Sequence, residues 1–156
     1  MCVAVAPFGG SAHAWPVERP YDQPDPAIID GSAQRALDHA RAQWRRSGIR
    51  SYRYEVKPVC FCRPDGWDVY IVRGNRSRYP KDTYSTVPRL LRAVQDAIDG
   101  KSNELRVTYS RRGVPRSLYA YPRSPRPDTY IADAQDGFDL RRFRRLRARA
   151  ANTARG

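Results

Sequence analysis

A chain of 156 residues is one domain's length, and 40% hydrophobic with 29% charged residues places it among globular proteins. No apolar run approaches the ~18 residues a membrane-spanning helix needs, and two histidines (His13, His39) with three cysteines (Cys2, Cys60, Cys62) leave little for metal sites or nucleophile–base pairs. The 29 Lys+Arg against 16 Asp+Glu give +13, but seven of the arginines lie in residues 141–156, and without them 22 basic face 16 acidic residues.

Residues 1–14 end in Ala12-His13-Ala14, a small-x-small pattern behind a short apolar stretch, which reads as a signal-peptide remnant. An ordinary amino terminus is the alternative, because no Lys or Arg precedes the apolar part. Residues 15–30 carry Pro16, Pro20, Pro24 and Pro26 and read as an extended linker.

After Asp30-Gly31-Ser32, where Asp30 or Ser32 can cap, Ala33, Leu37, Ala40 and Trp44 make one helical stripe that Gly48 stops. His39 lies on the opposite, solvated side. Ser51 to Cys62 begins with strict alternation: Tyr52, Tyr54 and Val56 face one way, Arg53, Glu55 and Lys57 the other. Pro64-Asp65-Gly66 turns the chain, Trp67, Val69 and Ile71 restart the alternation, and Gly74-Asn75 turns it again into a short strand from Arg76 to Tyr79. Thr86 then caps a second helix with Pro88 in its first turn, a stripe of Val87, Leu90, Leu91, Val94, Ala97 and Ile98, and Gly100 at its end. Leu105, Val107 and Tyr109 form a fourth strand, Gly113 breaks the run, Ser117 to Tyr121 form a fifth, and a sixth is expected over Thr129 to Ala132.

This pattern predicts an α+β fold over residues 31–140. About six antiparallel strands in meanders are packed by two helices on one face, in the order α-β-β-β-α-β-β-β. Residues 141–156 are expected to be disordered, or to form a short basic helix with Phe143, Leu146 and Ala150 on one side.

The segments Ser51-Tyr52-Arg53-Tyr54, Cys60-Phe61-Cys62, Thr86-Val87 with the helix to Ile98, Val107-Thr108-Tyr109, and Gly113 through Tyr119 together resemble a bacterial cell-envelope family of unknown function. Many of its members are secreted proteins or lipoproteins. The resemblance runs from about residue 33 to residue 140 and implies a fold and an extracytoplasmic compartment, but no activity. The chain departs from it at Arg89, where such helices often carry an acid, and in the arginine tail.

Cys60 and Cys62 lie two apart on a strand and so share a face. A strained disulfide between them is the leading reading; buried free thiols, and a redox or metal site, are the alternatives. Arg141, Arg142, Arg144, Arg145, Arg147 and Arg149 are the candidates for binding an anionic membrane surface or a polyanion. Tyrosines and tryptophans on strands are read first as core and cross-strand pairs, and second as a stacking platform.

No phosphate loop, nucleophile elbow or catalytic carboxylate pair is apparent, so no enzyme, cofactor or metal is expected. The sequence therefore points to an exported, monomeric, non-catalytic envelope or extracellular module that binds or spaces an unknown ligand. A thiol–disulfide or metal-handling protein, and an anion binder working through its tail, are the alternatives.

Overall fold

The computed structural model describes residues 23–59, 66–122 and 136–147. Its elements are α1 (Pro26–Ile29), α2 (Ser32–Ser47), β1 (Tyr52–Pro58), β2 (Asp68–Arg73), β3 (Arg76–Ser77), α3 (Val87–Asp99), β4 (Glu104–Tyr109), β5 (Pro115–Tyr121) and β6 (Asp136–Arg145). The six strands form one antiparallel sheet in the order β3-β2-β1-β6-β5-β4, which is the α+β architecture that the alternating and helical periodicities predict.

Helices form where the sequence carries local stop and start signals. In α2, Asp30 Oδ1 accepts the Ser32 amide at 2.7 Å while Gly31 takes a left-handed φ of +74° at the N-cap, and Gly48 at φ +60° ends the helix. In α3, Thr86 Oγ1 accepts the Arg89 amide at 3.3 Å, and Pro88 occupies a first-turn position where no amide partner is needed. The buried stripe Val87, Leu90, Leu91, Val94 and Ile98 lies against the sheet with Leu37 and Ala40 of α2. At ~1.5–3 kcal/mol for each fully buried large aliphatic side chain, the α3 stripe alone supplies on the order of 10 kcal/mol before chain entropy is counted.

The inner face of the sheet is strongly aromatic. Tyr52 and Tyr54 stack with ring centroids 5.8 Å apart, Tyr70 stacks on Tyr54 at 5.6 Å, and Trp44 of α2 meets Tyr52 edge-on at 5.3 Å. Each buried phenol has a partner: Tyr54 Oη donates to the Tyr84 carbonyl at 2.5 Å, Tyr70 Oη donates to Asp82 Oδ2 at 2.8 Å, and Tyr52 Oη accepts the Val87 amide at 3.1 Å. Burial raises the Tyr52 phenol to about 12 and raises Tyr54 further.

Four expectations are corrected. First, residues 141–145 are neither a disordered tail nor a basic helix: they complete β6, which lies between β1 and β5 in the middle of the sheet. Phe143 there stacks on Tyr52 at 5.5 Å instead of lining a helix. An arginine-rich strand is tolerated because Arg141, Arg142 and Arg144 go to the face away from the helices while Phe138, Leu140 and Phe143 go to the covered one.

Second, the core-facing set of β2 is not the Val69 and Ile71 set that marks its alternation in the sequence. Tyr70 and Val72 are buried, whereas Val69 and Ile71 are 44% and 46% exposed. Both sets are apolar, and the register Tyr54↔Tyr70 and Tyr52↔Val72 selects the inward one.

Third, the proline-rich segment is not wholly a linker. Asp25 caps α1 by accepting the Ala27 amide at 2.8 Å, and its other oxygen accepts the Leu105 amide at 3.0 Å, which ties this segment to the start of β4. Fourth, the expected third strand is shorter, ending at Ser77, and the strand expected over Thr129 to Ala132 lies outside the described residues.

Candidate functional site

The helices cover one face of the sheet; the other is uncovered among the described residues and carries most of the charge of the strands. On β1 the alternation that sends Tyr52, Tyr54 and Val56 inward sends Arg53, Glu55 and Lys57 outward. Antiparallel pairing with β6 places Arg144 opposite Arg53, Arg141 opposite Glu55 and Asp139 opposite Lys57.

The register slips between these pairs. Two residues of β6, Arg142 and Phe143, stand opposite Tyr54 alone, and Arg142 adopts φ +52°. A bulge of this kind inserts one residue and re-aims its neighbours. Here it lets Phe143 turn inward to the tyrosine stack while Arg141 and Arg142 both reach the same outward carboxylate.

That carboxylate, Glu55, is only 5% exposed although it belongs to the open face. Arg141 Nε donates to Oε2 at 2.9 Å, one Arg142 terminal nitrogen lies 3.3 Å from both oxygens, and an Arg53 nitrogen lies 3.6 Å from Oε1. The Arg141 hydrogen bond, helped by Arg142, holds the Glu55 carboxyl below the ordinary carboxylate range against the opposing effect of desolvation. The Arg141 guanidinium also lies 3.9 Å above the Trp67 ring, a cation–π contact that fixes its plane. Farther along the same face Arg106 pairs with Glu104 and stands 5.8 Å over Tyr119, and the hydroxyls of Thr108 and Ser117 are 2.6 Å apart.

Cavities lined by the described residues compete with this face, two of them beside α3. One of about 610 Å³ lies beside the start of α3, near Arg76 and Arg89, but the first amides of that helix are already used by Tyr52 Oη and Thr86 Oγ1, and Pro88 has none. The other, about 350 Å³, lies between α3 and the β5–β6 end of the sheet, lined by Tyr84, Ala97, Leu118 and Phe138 among others. Neither collects charged groups as the open face does. Among the described residues no group of three or more His, Cys, Asp or Glu is placed to hold a metal ion, and no helix there is long and apolar enough to cross a membrane.

The family model for a family of unknown function, DUF6174, matches residues 36–124, more than half of the chain. The chain belongs to that family. The DUF6174 match runs from within α2 through β5, including Arg53, Glu55 and Trp67, and stops short of β6 with its arginines. Comparison with curated proteins and with solved structures found no match.

Of the residues singled out in the sequence, Arg141, Arg142 and Arg144 come together on the open face. Arg145 pairs opposite Tyr52 at the strand's end, Arg147 follows the strand as an exposed residue, and Arg149 lies outside the described residues. Cys60 and Cys62 also lie outside them. The strand aromatics divide: Tyr52, Tyr54 and Tyr70 belong to the core, while Trp67 and Tyr119 meet guanidinium groups. Sequence reasoning missed Glu55 and Arg53 as members of a cluster. The partners of Glu55 on β6 are 86 and 87 residues away, and the local signal is an acid placed between two cations on one strand face.

Proposed function

We propose that this chain is an exported, non-catalytic binding module of the cell envelope that holds its ligand on the uncovered face of the sheet. The observation that carries this reading is Glu55, a carboxylate brought almost wholly out of solvent on an otherwise open face and bound by arginines from two strands. A face meant only for solvation needs no buried carboxylate, because exposed charges are already satisfied by water. Arranged guanidinium groups beside Trp67, Val69 and Ile71 present both polar and apolar contact area.

The test is a titration of the isotopically labelled full chain with inorganic polyphosphate, with phosphatidylglycerol vesicles and with cellohexaose, followed by amide resonances. Shifts or broadening centred on β1, β2 and β6 with any one probe support the reading. Resonances of that face unmoved by all three would remove it. Export is tested by cell fractionation: chain found in the extracytoplasmic fraction supports it, and chain confined to the cytoplasm refutes it.

A further inference from the structure

We infer that the arginines around Glu55 form a subsite for phosphate oxyanions carried on a linear polymer, an assignment that rests on the open-face reading and narrows it. Three guanidinium groups, Arg53, Arg141 and Arg142, lie against one carboxylate and Arg144 stands opposite Arg53, an excess of three positive charges across two neighbouring strands. Arg53 and Arg144 stand directly opposite each other, a like-charge pair that weakens a sheet unless an anion lies between or above them. Arg144 has no ion pair or side-chain hydrogen bond among the described residues.

The backbone is bent to make this cluster. Arg142 is held at φ +52°, a conformation costing a non-glycine residue ~1–2 kcal/mol, and the bulge around it is what brings Arg142 to the carboxylate beside Arg141. Strain of this kind gathers where a site is being shaped.

Donor counting leaves capacity for a ligand. Each guanidinium has five N–H donors, and Glu55 engages Nε of Arg141 and one terminal nitrogen of Arg142. The remaining forks suit the paired oxygens of a phosphate better than a point cation would. With Glu55 on one side and Trp67 on the other, Arg141 has its orientation set before a ligand arrives.

Arg141 stands opposite Glu55 and Arg144 opposite Arg53, so the arginines of β6 span two residue steps of β1, roughly 7 Å at strand rise, a line suited to successive phosphates and not to a single ion. The alternative of a membrane surface fits less well. The Trp67 and Tyr119 rings each carry a guanidinium over one face, which leaves Val69 and Ile71, half exposed, as the apolar area for lipid.

The experiment measures binding of fluorescein-labelled inorganic polyphosphate to the full chain by anisotropy across a sodium chloride series. Arg144→Ala should weaken binding by about tenfold, the scale of one charge-assisted hydrogen bond, and reduce the slope of log affinity on log salt by about 0.7–1. Glu55→Gln should strengthen binding, because it removes the carboxylate that competes for the forks; a cluster serving only the fold would give no gain. Melting curves establish that each variant is folded, and if Glu55→Gln is not, Arg144→Ala decides alone. Wild-type affinity and slope in Arg144→Ala would overturn the assignment. So would capture of cellohexaose or of phosphatidylglycerol vesicles on the open face with polyphosphate unbound, a result that leaves the binding-module reading standing.

Discussion

Gly113→Ala probes the contact that holds α2 over the β4–β5 end of the sheet. Gly113 has φ +75°, and an added Cβ would meet the Ala40 carbonyl oxygen at 1.9 Å, its carbon at 2.8 Å and the Trp44 amide nitrogen at 2.9 Å. These are helix backbone atoms, so no side chain can swing aside. The left-handed backbone costs an alanine ~1–2 kcal/mol, and displacing the helix adds ~1–3 kcal/mol, the usual range for overpacking. The total of about 2–5 kcal/mol is a large part of the ~5–15 kcal/mol by which a domain of this size is stable. It corresponds to a fall in Tm of roughly 10 °C or more. Gly48→Ala is the control: its φ is +60° with nothing within 4 Å of the added carbon, so only the backbone cost applies. Urea unfolding followed by circular dichroism measures both, with m compared to exclude a change in the unfolded state. If the two variants lose the same stability, α2 does not rest on Gly113 and the packing argument is refuted.

Acid should unfold the wild type partly through Glu55. Its folded pKa is depressed below the ordinary 4.5, so its stabilisation is complete above that value and is lost as pH falls through the lower folded one; Tm of Glu55→Gln should be flatter over that window, and parallel curves would contradict the geometry. In alkali the sign is opposite. Tyr52 and Tyr109 have folded pKa values raised to about 12 from 10.0, so stability is intact below 10 and falls between 10 and 12, and ultraviolet titration of the phenols should show a group of late tyrosines; a single transition of all ten near 10 would refute their burial. Leu90→Ala, at a site with no exposed surface, should cost about 3 kcal/mol in chemical denaturation, and a loss under 1 kcal/mol would mean that α3 is not seated on the sheet. Exported protein should show no free thiol at Cys60 and Cys62 on titration under denaturing conditions, and two reactive thiols would withdraw the disulfide proposal.

Elements whose signals are local are legible in the amino-acid chain alone. Thr86, Pro88 and the Val87–Ile98 stripe define α3, Gly48 ends α2, and the parity of Tyr52, Tyr54 and Val56 defines the inner side of β1, because caps, left-handed glycines and periodicity act over one or two turns or a few strand residues. Tertiary structure decided whatever depended on a distant partner. β2 could present either Val69 and Ile71 or Tyr70 and Val72 to the core, two comparably apolar sets, and only its register with β1 chose between them. The run after Leu140 reads as a solvated tail because arginine carries no strand signal. It becomes β6 because the edges of β1 and β5 leave backbone groups to be paired, and because Phe143 completes the ring stack of Tyr52 and Tyr54. The cluster at Glu55 follows from that insertion: a carboxylate and the arginines that bind it are brought together by a pairing that no short stretch of sequence encodes.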